Sequence, residues 1–384
     1  MKRYIVSGLL LITGFTVCIP HSLFFWLKNS EPAFNPSSSI FVDYNHKKSV
    51  YEEKEGVLLA FIKNKLIRSD GGIVTNTRPV KGDPETLSES VGLLMHYAVM
   101  EDKKDLFDIE FNFLKDRLLA NGYNVRWKLG VGEITCNAAI DDLRIIRALI
   151  GAYEKWGVKS HLDMAKQIQG NIYNKQVKNN NLFEIYDWKY DTVRQSTPLC
   201  YLDLYTLDRA RLFDKNWKGV SVNALKITSE GKIQDSPFFF KYYDYKKSKY
   251  LMDEEYKDNN GICITYTIYT ALHLAEVGIK TGDLIDWLNN EMKRGNLYAW
   301  YNPHNLKPVS DVESTAVYAL ASIYAKRLGD YELSKKLINR MLEFMVVDQN
   351  SLYYGGFGNK DAGEFYSFDN LTALWALSEI IKVQ

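Results

Sequence analysis

The feature that most constrains this chain is a helical spacing of apolar residues that returns repeatedly from residue 48 onward. These residues recur at i, i+3, i+4 and i+7, as Leu143, Ile146, Leu149 and Ile150 do, which is the pattern of a helix with a buried face. Alternating runs that would indicate strands are few and short. The spacing predicts helices over 48–66, 86–101, 104–119, 139–157, 159–175, 197–212, 215–229, 262–277, 281–294, 311–327, 329–347 and 367–382.

Capping residues support several of these helix boundaries. Thr86 or Ser88 stands ahead of one helix, and Ser310-Asp311 stands ahead of a later one. Such side chains accept hydrogen bonds from the free N–H groups of a first turn. Gly157 follows the end of another helix, because glycine adopts the left-handed conformation at low cost. No linker rich in Pro or Gly divides the helices, so we expect them to form one domain.

The loops indicate how these helices pack. A helical solenoid would repeat a signature roughly every 30–45 residues, and the sequence contains none. Longer loops instead follow roughly every second helix, at 67–85, 120–138, 176–196, 230–261, 295–310 and 348–366. We therefore expect an all-α fold over residues 46–384, an (α/α)6-type double-layered helical barrel whose long loops surround a cleft at one end.

Charge and composition exclude several classes of protein. Lys and Arg number 48 and Asp and Glu 47, so the chain lacks the basic excess of a protein that coats nucleic acid. The 26 Tyr, 18 Phe and 8 Trp suit sugar faces and helix cores equally well. The four cysteines form no CxxC pair and the six histidines no HExxH motif, so we expect no disulfide framework, no metal site and no cofactor.

The first 28 residues predict a membrane segment. Lys2 and Arg3 precede an apolar stretch over 4–27, which at about 1.5 Å per helical residue is long enough to cross a hydrocarbon core. The stretch is longer than the core of a signal peptide and offers no good cleavage site. We therefore favour an uncleaved single-pass anchor, followed by a linker over 29–45, over a secreted and cleaved form. The positive N-terminus predicts that the barrel lies outside the cytoplasm.

Two apolar helices that begin with acidic residues carry the candidate chemistry. Glu89 precedes a strongly apolar run, and a carboxyl partly desolvated there would have a raised pKa and could act as a general acid. Asp141 and Asp142 begin a second long helix, where the helix dipole favours anions. Capping is the commoner role for any one of these residues, but Trp127 in the loop between the two helices favours a site.

The same residues resemble a known enzyme family. Residues 87–94 resemble the Ser-Glu-Gly-x-x-Tyr-Gly-Leu-Leu helix start of glycoside hydrolase family 8, whose members are endoglucanases, xylanases and chitosanases with an (α/α)6 barrel. Residues 138–156 resemble the family's Ala-Ser/Thr-Asp-Ala/Gly-Asp-Leu helix. The resemblance implies inverting acid/base hydrolysis with Glu89 as proton donor and Trp127 as a sugar-stacking platform. It also implies that Asp141 or Asp142 orients water or binds the sugar at the −1 subsite.

The chain departs from the family pattern in its other acidic positions. The first Asp of the second motif falls on Ile140. The family's later Tyr-Asp-Ala-x-Arg motif, which holds the general base, aligns with a helix start that has Tyr266 or Thr267 in place of Asp. The base therefore stays open among Asp141, Asp142, Asp191, Asp253 and Asp311.

A literal Tyr-Asp-x-x-Arg occurs too early in the chain to match the family's base motif. It consists of Tyr190, Asp191 and Arg194 with two intervening residues, and we interpret the match as coincidence for the role of base. These three residues, with Tyr266, are instead candidates for contact with a substrate.

The leading hypothesis is an endo-acting glycoside hydrolase, monomeric and tethered to the membrane, that cleaves an extracellular or cell-envelope polysaccharide. Its resemblance to hydrolases of exopolysaccharide synthesis links it to biofilm. The departures at Ile140 and Tyr266 leave an alternative, a catalytically impaired polysaccharide-binding component of an exopolysaccharide machine. A polysaccharide lyase is a third hypothesis, since α/α barrels also host that chemistry.

Overall fold

The computed structural model describes residues 49–78, 82, 84–253 and 260–382. The predicted membrane segment, the linker and the first residues of the predicted barrel lie outside these ranges. Within them, every helix is too short or too polar to span a lipid bilayer.

Twelve α-helices lie within the described residues. In chain order they are α1 (Val50–Phe61), α2 (Ser88–Met100), α3 (Lys104–Phe113), α4 (Ala139–Trp156), α5 (Lys159–Gln176), α6 (Leu204–Ala210), α7 (Trp217–Glu230), α8 (Ile264–Glu276), α9 (Gly282–Arg294), α10 (Thr315–Arg327), α11 (Tyr331–Leu342) and α12 (Ser367–Ile381). Single π-helical turns over Ile62–Leu66 and Leu114–Leu118 extend α1 and α3, and 3₁₀ turns lie at Asn121–Tyr123 and Leu199–Tyr201.

The even-numbered helices form a closed inner ring. α2 packs against α4, α4 against α6, α6 against α8, α8 against α10, α10 against α12, and α12 returns to α2. Helices α3, α5, α7 and α11 each pack on the inner helix that precedes them, α1 packs on α12, and α9 lies against α11. The double-layered (α/α)6 barrel predicted from the sequence is therefore confirmed for the described part of the chain.

Burial separates the two layers. In the inner helix α10, ten consecutive residues from Ala316 to Ala325 are buried, as expected for a helix enclosed on all sides. In the outer helix α9, burial is confined to Leu284, Trp287, Leu288 and Glu291, which is one face of a helix at 3.6 residues per turn. The core therefore lies between the layers and along the barrel axis.

Short and long connections alternate along the chain, and as a result the N-termini of the inner helices lie at the same end of the barrel. Residues 101–103 join α2 to α3 and residues 157–158 join α4 to α5, whereas 177–203 return to α6 and 231–263 return to α8. Helices joined by short connections run antiparallel, so all inner helices point the same way. A hydrogen bond between Ser90 Oγ and Ser367 Oγ (2.8 Å) joins the first turns of α2 and α12 at this end.

Thirteen short strands lie in the loops of the described residues, which makes the fold less purely helical than expected. They are β1 (Thr86–Leu87), β2 (Leu119–Ala120), β3 (Asn124–Val125), β4 (Lys128–Leu129), β5 (Val177–Lys178), β6 (Asn181–Leu182), β7 (Tyr186–Asp187), β8 (Thr192–Val193), β9 (Ser196–Pro198), β10 (Tyr242–Asp244), β11 (Lys249–Leu251), β12 (Ile262–Cys263) and β13 (Trp300–Tyr301). β10 lies between β9 and β11, and the other strands form antiparallel pairs: β1 with β4, β2 with β3, β5 with β6, β7 with β8 and β12 with β13.

Two predicted caps are wrong: Thr86 lies in a strand, and Ser310-Asp311 stands in the loop ahead of the actual helix start. Thr86 pairs with Leu129, and α2 begins with Leu87 in the capping position and no side-chain cap. Ser310-Asp311 does not open α10, because Val312 accepts a hydrogen bond from the Ala299 N–H at 2.8 Å and the helix begins only at Thr315. The predicted left-handed cap at Gly157 is confirmed, with φ of 71°.

Candidate active site

Glu89 lies in the first turn of α2, at the barrel end where the inner helices begin. A quarter of its side chain is exposed, and Oε2 lies 3.4 Å from Arg144 Nη1. Burial raises the pKa of Glu89 to about 7 against the opposing effect of Arg144, and the charges of Asp141 and Asp369 raise it further. The carboxyl can therefore hold a proton near neutral pH and still reach solvent, as a general acid requires.

The turn that carries Glu89 is fixed by the loop that carries Trp127. Ser88 donates its N–H to the Trp127 carbonyl (2.9 Å), and its hydroxyl oxygen lies 3.1 Å from the same carbonyl oxygen. The half-buried Trp127 ring has Lys128 Nζ 4.8 Å from its centroid. Trp127 is thus a direct neighbour of the first turn of α2, next to the proposed acid.

Asp141 faces the same turn from α4. Its Oδ2 accepts from Ser88 Oγ (2.9 Å) and its Oδ1 from Arg144 Nη1 (2.8 Å). Burial raises the pKa of Asp141, although Arg144 and Ser88 both act to lower it. Both oxygens are occupied and the residue is buried, so Asp141 is poorly placed to activate water.

Asp142 points to a different set of partners. Its Oδ2 accepts from Asn137 Nδ2 (2.6 Å), and Asn137 also donates to Gln176 (2.7 Å) and accepts from the Tyr186 N–H (2.8 Å). Asp142 is 1% exposed, and burial holds its pKa well above the usual range. These contacts join α4 to the loop after α5, so Asp142 lies away from Glu89 and stabilises the packing.

Asp369 is a carboxyl near Glu89 that the sequence did not single out as part of the site. It lies in the first turn of α12, where Oδ1 accepts from the Ala316 N–H (3.1 Å) and from Ser314 Oγ (3.5 Å). It therefore caps the neighbouring inner helix α10. Burial raises the pKa of Asp369, and its charge acts on Glu89.

The start of α8, opposite α2 in the inner ring, carries a lysine–aspartate pair. Lys241 Nζ donates to Asp253 Oδ2 (2.7 Å) and lies 4.2 Å from the centroid of the Tyr266 ring. Burial raises the pKa of Tyr266 to about 12, although Lys241 opposes the shift. Lys241 thus links a buried carboxyl, Asp253, to the start of α8, where the sequence places Tyr266 and Thr267.

The Tyr-Asp-x-x-Arg segment lies on the hairpin of β7 and β8. Tyr190 is 68% exposed. Asp191 accepts from the Tyr186 hydroxyl (2.8 Å), which lowers the pKa of Asp191. Arg194 pairs with the buried Glu184 (3.3 Å). No hydrogen bond or ion pair among the described residues joins these three residues to Glu89.

A buried ion cluster lies below the site, in the barrel interior. Arg147 donates two hydrogen bonds to Glu276 (3.0 and 2.7 Å) and lies 3.7 Å from Asp203. His273 Nδ1 lies 3.6 Å from Glu276, and its Nε2 bonds to the Cys200 carbonyl (3.0 Å).

Atoms of Asp203, His273 and Glu276 that could bind a metal lie within 4.8 Å of one another, an arrangement that the sequence did not reveal. Two donors from Thr206 (2.9 and 2.6 Å) satisfy Asp203, and Arg147 satisfies Glu276. Both carboxylates thus have partners within the protein, so we interpret the cluster as structural.

Comparisons with known proteins give relatives along most of the chain. No family model matches. A lipoprotein by name, YdaJ of Bacillus subtilis (strain 168), is 29% identical over 322 residues, which is 82% of this chain and 84% of that protein. A solved structure described as a novel alpha-amylase from Clostridium perfringens is 31% identical, with a TM-score of 0.80 over 87% of this chain and 99% of that one. Endoglucanase Cel10 of Klebsiella pneumoniae, a family 8 glycosyl hydrolase, shares the fold with a TM-score of 0.59 at 15% identity over 84% of this chain and 99% of that one.

Proposed function

Because this chain belongs to the family of the Clostridium perfringens protein and is similar to glycoside hydrolase family 8 in fold and in two motifs, we propose that it is an endo-acting glycoside hydrolase that cleaves a polysaccharide with inversion. The observation that carries the proposal is Glu89. This carboxyl is partly open to solvent and has a pKa of about 7, so it holds a donatable proton at neutral pH.

In this mechanism Glu89 gives its proton to the glycosidic oxygen. The bond from that oxygen to the anomeric carbon breaks, and water attacks the carbon from the opposite face. A second carboxylate takes the proton of the attacking water. The products are a new reducing end of inverted configuration and a free hydroxyl on the leaving sugar. The two carboxyl groups of an inverting enzyme lie about 6.5–9.5 Å apart, on opposite sides of the sugar.

We assign the base role to Asp253. Asp141 and Asp369 extend from α4 and α12, the two neighbours of α2 in the ring, so they flank Glu89 on its own side. Asp253 lies beside the start of α8, across the barrel axis from α2. Lys241 pairs with Asp253 at 2.7 Å and so holds this carboxyl in place.

An uncharged glucan is the proposed substrate class. The cations described around the site are paired with carboxylates: Arg144 with Asp141, Lys241 with Asp253 and Arg194 with Glu184. A uronate or phosphate on the substrate would have to displace one of these carboxylates from its cation. Because a lyase acts on uronates, the same pairing disfavours the lyase hypothesis. The names of the relatives, alpha-amylase and endoglucanase, point to glucans. Trp127, Tyr190 and Tyr266 offer ring faces on which sugars stack.

The proposed location is the cell envelope. The apolar segment over 4–27 would act as a single-pass anchor with the barrel outside, and the lipoprotein name of YdaJ supports envelope association. A monomeric hydrolase at this position would trim an exopolysaccharide and so affect biofilm.

The test is release of new reducing ends by the full chain from soluble starch, β-glucan, chitosan and a polyuronate. We expect activity on a neutral glucan that falls at least about 10³-fold in Glu89→Gln and in Asp253→Asn, because each removes a group that transfers a proton. Asp163→Asn, at an exposed position on α5, is the matched control. Asp191→Asn should also keep wild-type activity.

Other outcomes would overturn the proposal. Binding of glucan without reducing ends would favour the alternative of a polysaccharide-binding component. An unsaturated product that absorbs ultraviolet light, released from the polyuronate, would establish a lyase. Full activity in Asp253→Asn with loss in Asp369→Asn would move the base to α12.

A further inference from the structure

Arg144 reaches Glu89 because α2 and α4 approach each other closely at Gly92. A Cβ added to Gly92 would lie 3.0 Å from Arg144 Cβ, so a larger residue would displace the stem of the arginine. The Arg144 side chain is 11% exposed, and its guanidinium lies 5.3 Å from the centroid of the Tyr269 ring on α8. Arg144 is therefore held between three inner helices, with little freedom to move.

The same nitrogen of Arg144 faces two carboxyls. Nη1 lies 2.8 Å from Asp141 Oδ1 and 3.4 Å from Glu89 Oε2. The Ser88 hydroxyl orients Asp141 by donating to its other oxygen. Since a guanidinium only donates hydrogen bonds, Glu89 Oε2 must be an acceptor.

We propose that Arg144 is a positioning residue that keeps the proton of Glu89 on Oε1 and stabilises the carboxylate left after the proton has moved. The inference rests on the proposed role of Glu89 as acid. When Oε1 gives its proton to the glycosidic oxygen, the negative charge that appears on the carboxylate lies beside a cation already in place. Such preorganised charge lowers a barrier without rearrangement at the moment of reaction.

The groups around Glu89 act on its proton in opposite directions. Arg144 lowers the pKa of Glu89, whereas Asp141 on α4 and Asp369 on α12 raise it. Tyr269 on α8 interacts with both Glu89 and Arg144, and Cys200 and Tyr201 interact with Arg144. Removal of Arg144 and removal of the charge on Asp141 should therefore shift the titration of Glu89 in opposite directions, which a merely structural role would not produce.

The experiment measures kcat/KM of the full chain against pH on the glucan that it hydrolyses. In Arg144→Met we expect the basic limb to move up by about one pH unit or more, because an arginine neighbour lowers a carboxyl pKa by roughly 1–3 units. The maximal rate should fall at least about tenfold, because the developing charge loses its cation. In Asp141→Asn the limb should move down, and Arg144→Lys should restore a limb near that of the wild type.

Two further measurements keep the test decisive. Arg126→Met is the matched control, because among the described residues Arg126 donates to backbone carbonyls, and its pH profile should equal that of the wild type. The titration of Glu89 is also measured without activity, from the pH dependence of the unfolding free energy in Arg144→Met with and without Glu89→Gln. An unshifted limb in Arg144→Met, or shifts of the same sign in Arg144→Met and Asp141→Asn, overturns the inference. An inactive wild type with the expected shift in the unfolding data would instead overturn the proposed function alone.

Discussion

Replacement of Glu89 by Gln should make the protein more stable at high pH while it abolishes activity. Burial raises the pKa of Glu89 from 4.5 to about 7, so the folded state binds this proton more tightly than the unfolded state does. The stability that Glu89 contributes is therefore complete below pH 4.5 and is lost as the pH rises through about 7. Glutamine does not ionise and has no such dependence.

The size of the effect follows from the two pKa values. With 4.5 for the unfolded chain and about 7 for the folded one, ionisation of Glu89 costs about 3 kcal/mol of stability at pH 8 and under about 1 kcal/mol at pH 5. A quarter of the side chain is exposed, so solvent screening reduces the change. We expect Glu89→Gln to gain about 2 kcal/mol relative to the wild type between pH 5 and pH 8.

The assay is denaturant unfolding of both proteins at the two pH values, followed by far-ultraviolet circular dichroism. Glutamine also interacts less strongly with Arg144 than the carboxyl does, but this weakening contributes to the stability difference at both pH values, so the change with pH reports the proton. Asp163→Asn, at its exposed position, should show no such change. Equal stability differences for Glu89→Gln at pH 5 and pH 8 would refute the raised pKa and with it the assignment of Glu89 as acid.

Substitutions at Gly92 and Arg147 test the packing below and around the site, with Gly170 as a control position. Gly92→Ala should cost about 1–3 kcal/mol of unfolding free energy, because its Cβ would meet Arg144 Cβ at 3.0 Å. Gly170→Ala, with no atom within 4 Å of its added Cβ, should instead stabilise the protein by about 0.5–1 kcal/mol. If the two variants have equal stability in denaturant unfolding, the close approach of α2 and α4 is wrong. Arg147→Met should cost about 3–5 kcal/mol, because Glu276 would stay buried without the two hydrogen bonds that it accepts. An unchanged thermal midpoint for this variant would contradict the buried cluster.

The helices were predictable because each buries a face with the period of the helix itself. The spacing predicted a helix over 139–157, and α4 covers Ala139–Trp156. Prediction failed at the helix starts where a short strand holds the chain extended. The α6 region, predicted from residue 197, begins with β9 and a 3₁₀ turn, and the helix starts at Leu204, where Asp203 caps it. Whether Thr or Ser caps a helix or pairs in a strand depends on the partner strand, which the local sequence does not contain.

The candidate site was only partly predictable for a related reason. Glu89 was accessible to sequence reasoning because it directly precedes an apolar run. The sequence could not tell which of Asp141 and Asp142 faces Glu89. Successive residues of a helix point about 100° apart, so the two side chains point in different directions. The structure shows that Asp141 contacts Ser88 and Asp142 contacts Asn137. Arg144 did carry a signal: a charge inside an apolar helical run needs a buried partner.

Residues brought together by the barrel carried no local signal at all. Asp369 comes near Glu89 only because the last inner helix returns to the first and closes the ring. Lys241, Asp253 and Tyr266 meet because the loop after α7 folds over the start of α8. For such groups, the sequence gives the chemical type of each side chain but does not predict which other side chains lie beside it.

The distances around Arg144 explain how an acid can keep its proton beside a cation. An arginine paired with Glu89 alone would lower the carboxyl pKa by roughly 1–3 units, and the proton would be lost well below neutral pH. Here the guanidinium lies nearer to Asp141 (2.8 Å) than to Glu89 (3.4 Å), and the charge of Asp141 opposes the effect of Arg144 on the pKa of Glu89. Burial then dominates the titration of Glu89 and raises its pKa to about 7. The acidity of Glu89 thus depends on a second carboxyl on the next inner helix, which is why we expect catalysis to require Asp141 although both of its oxygens are occupied.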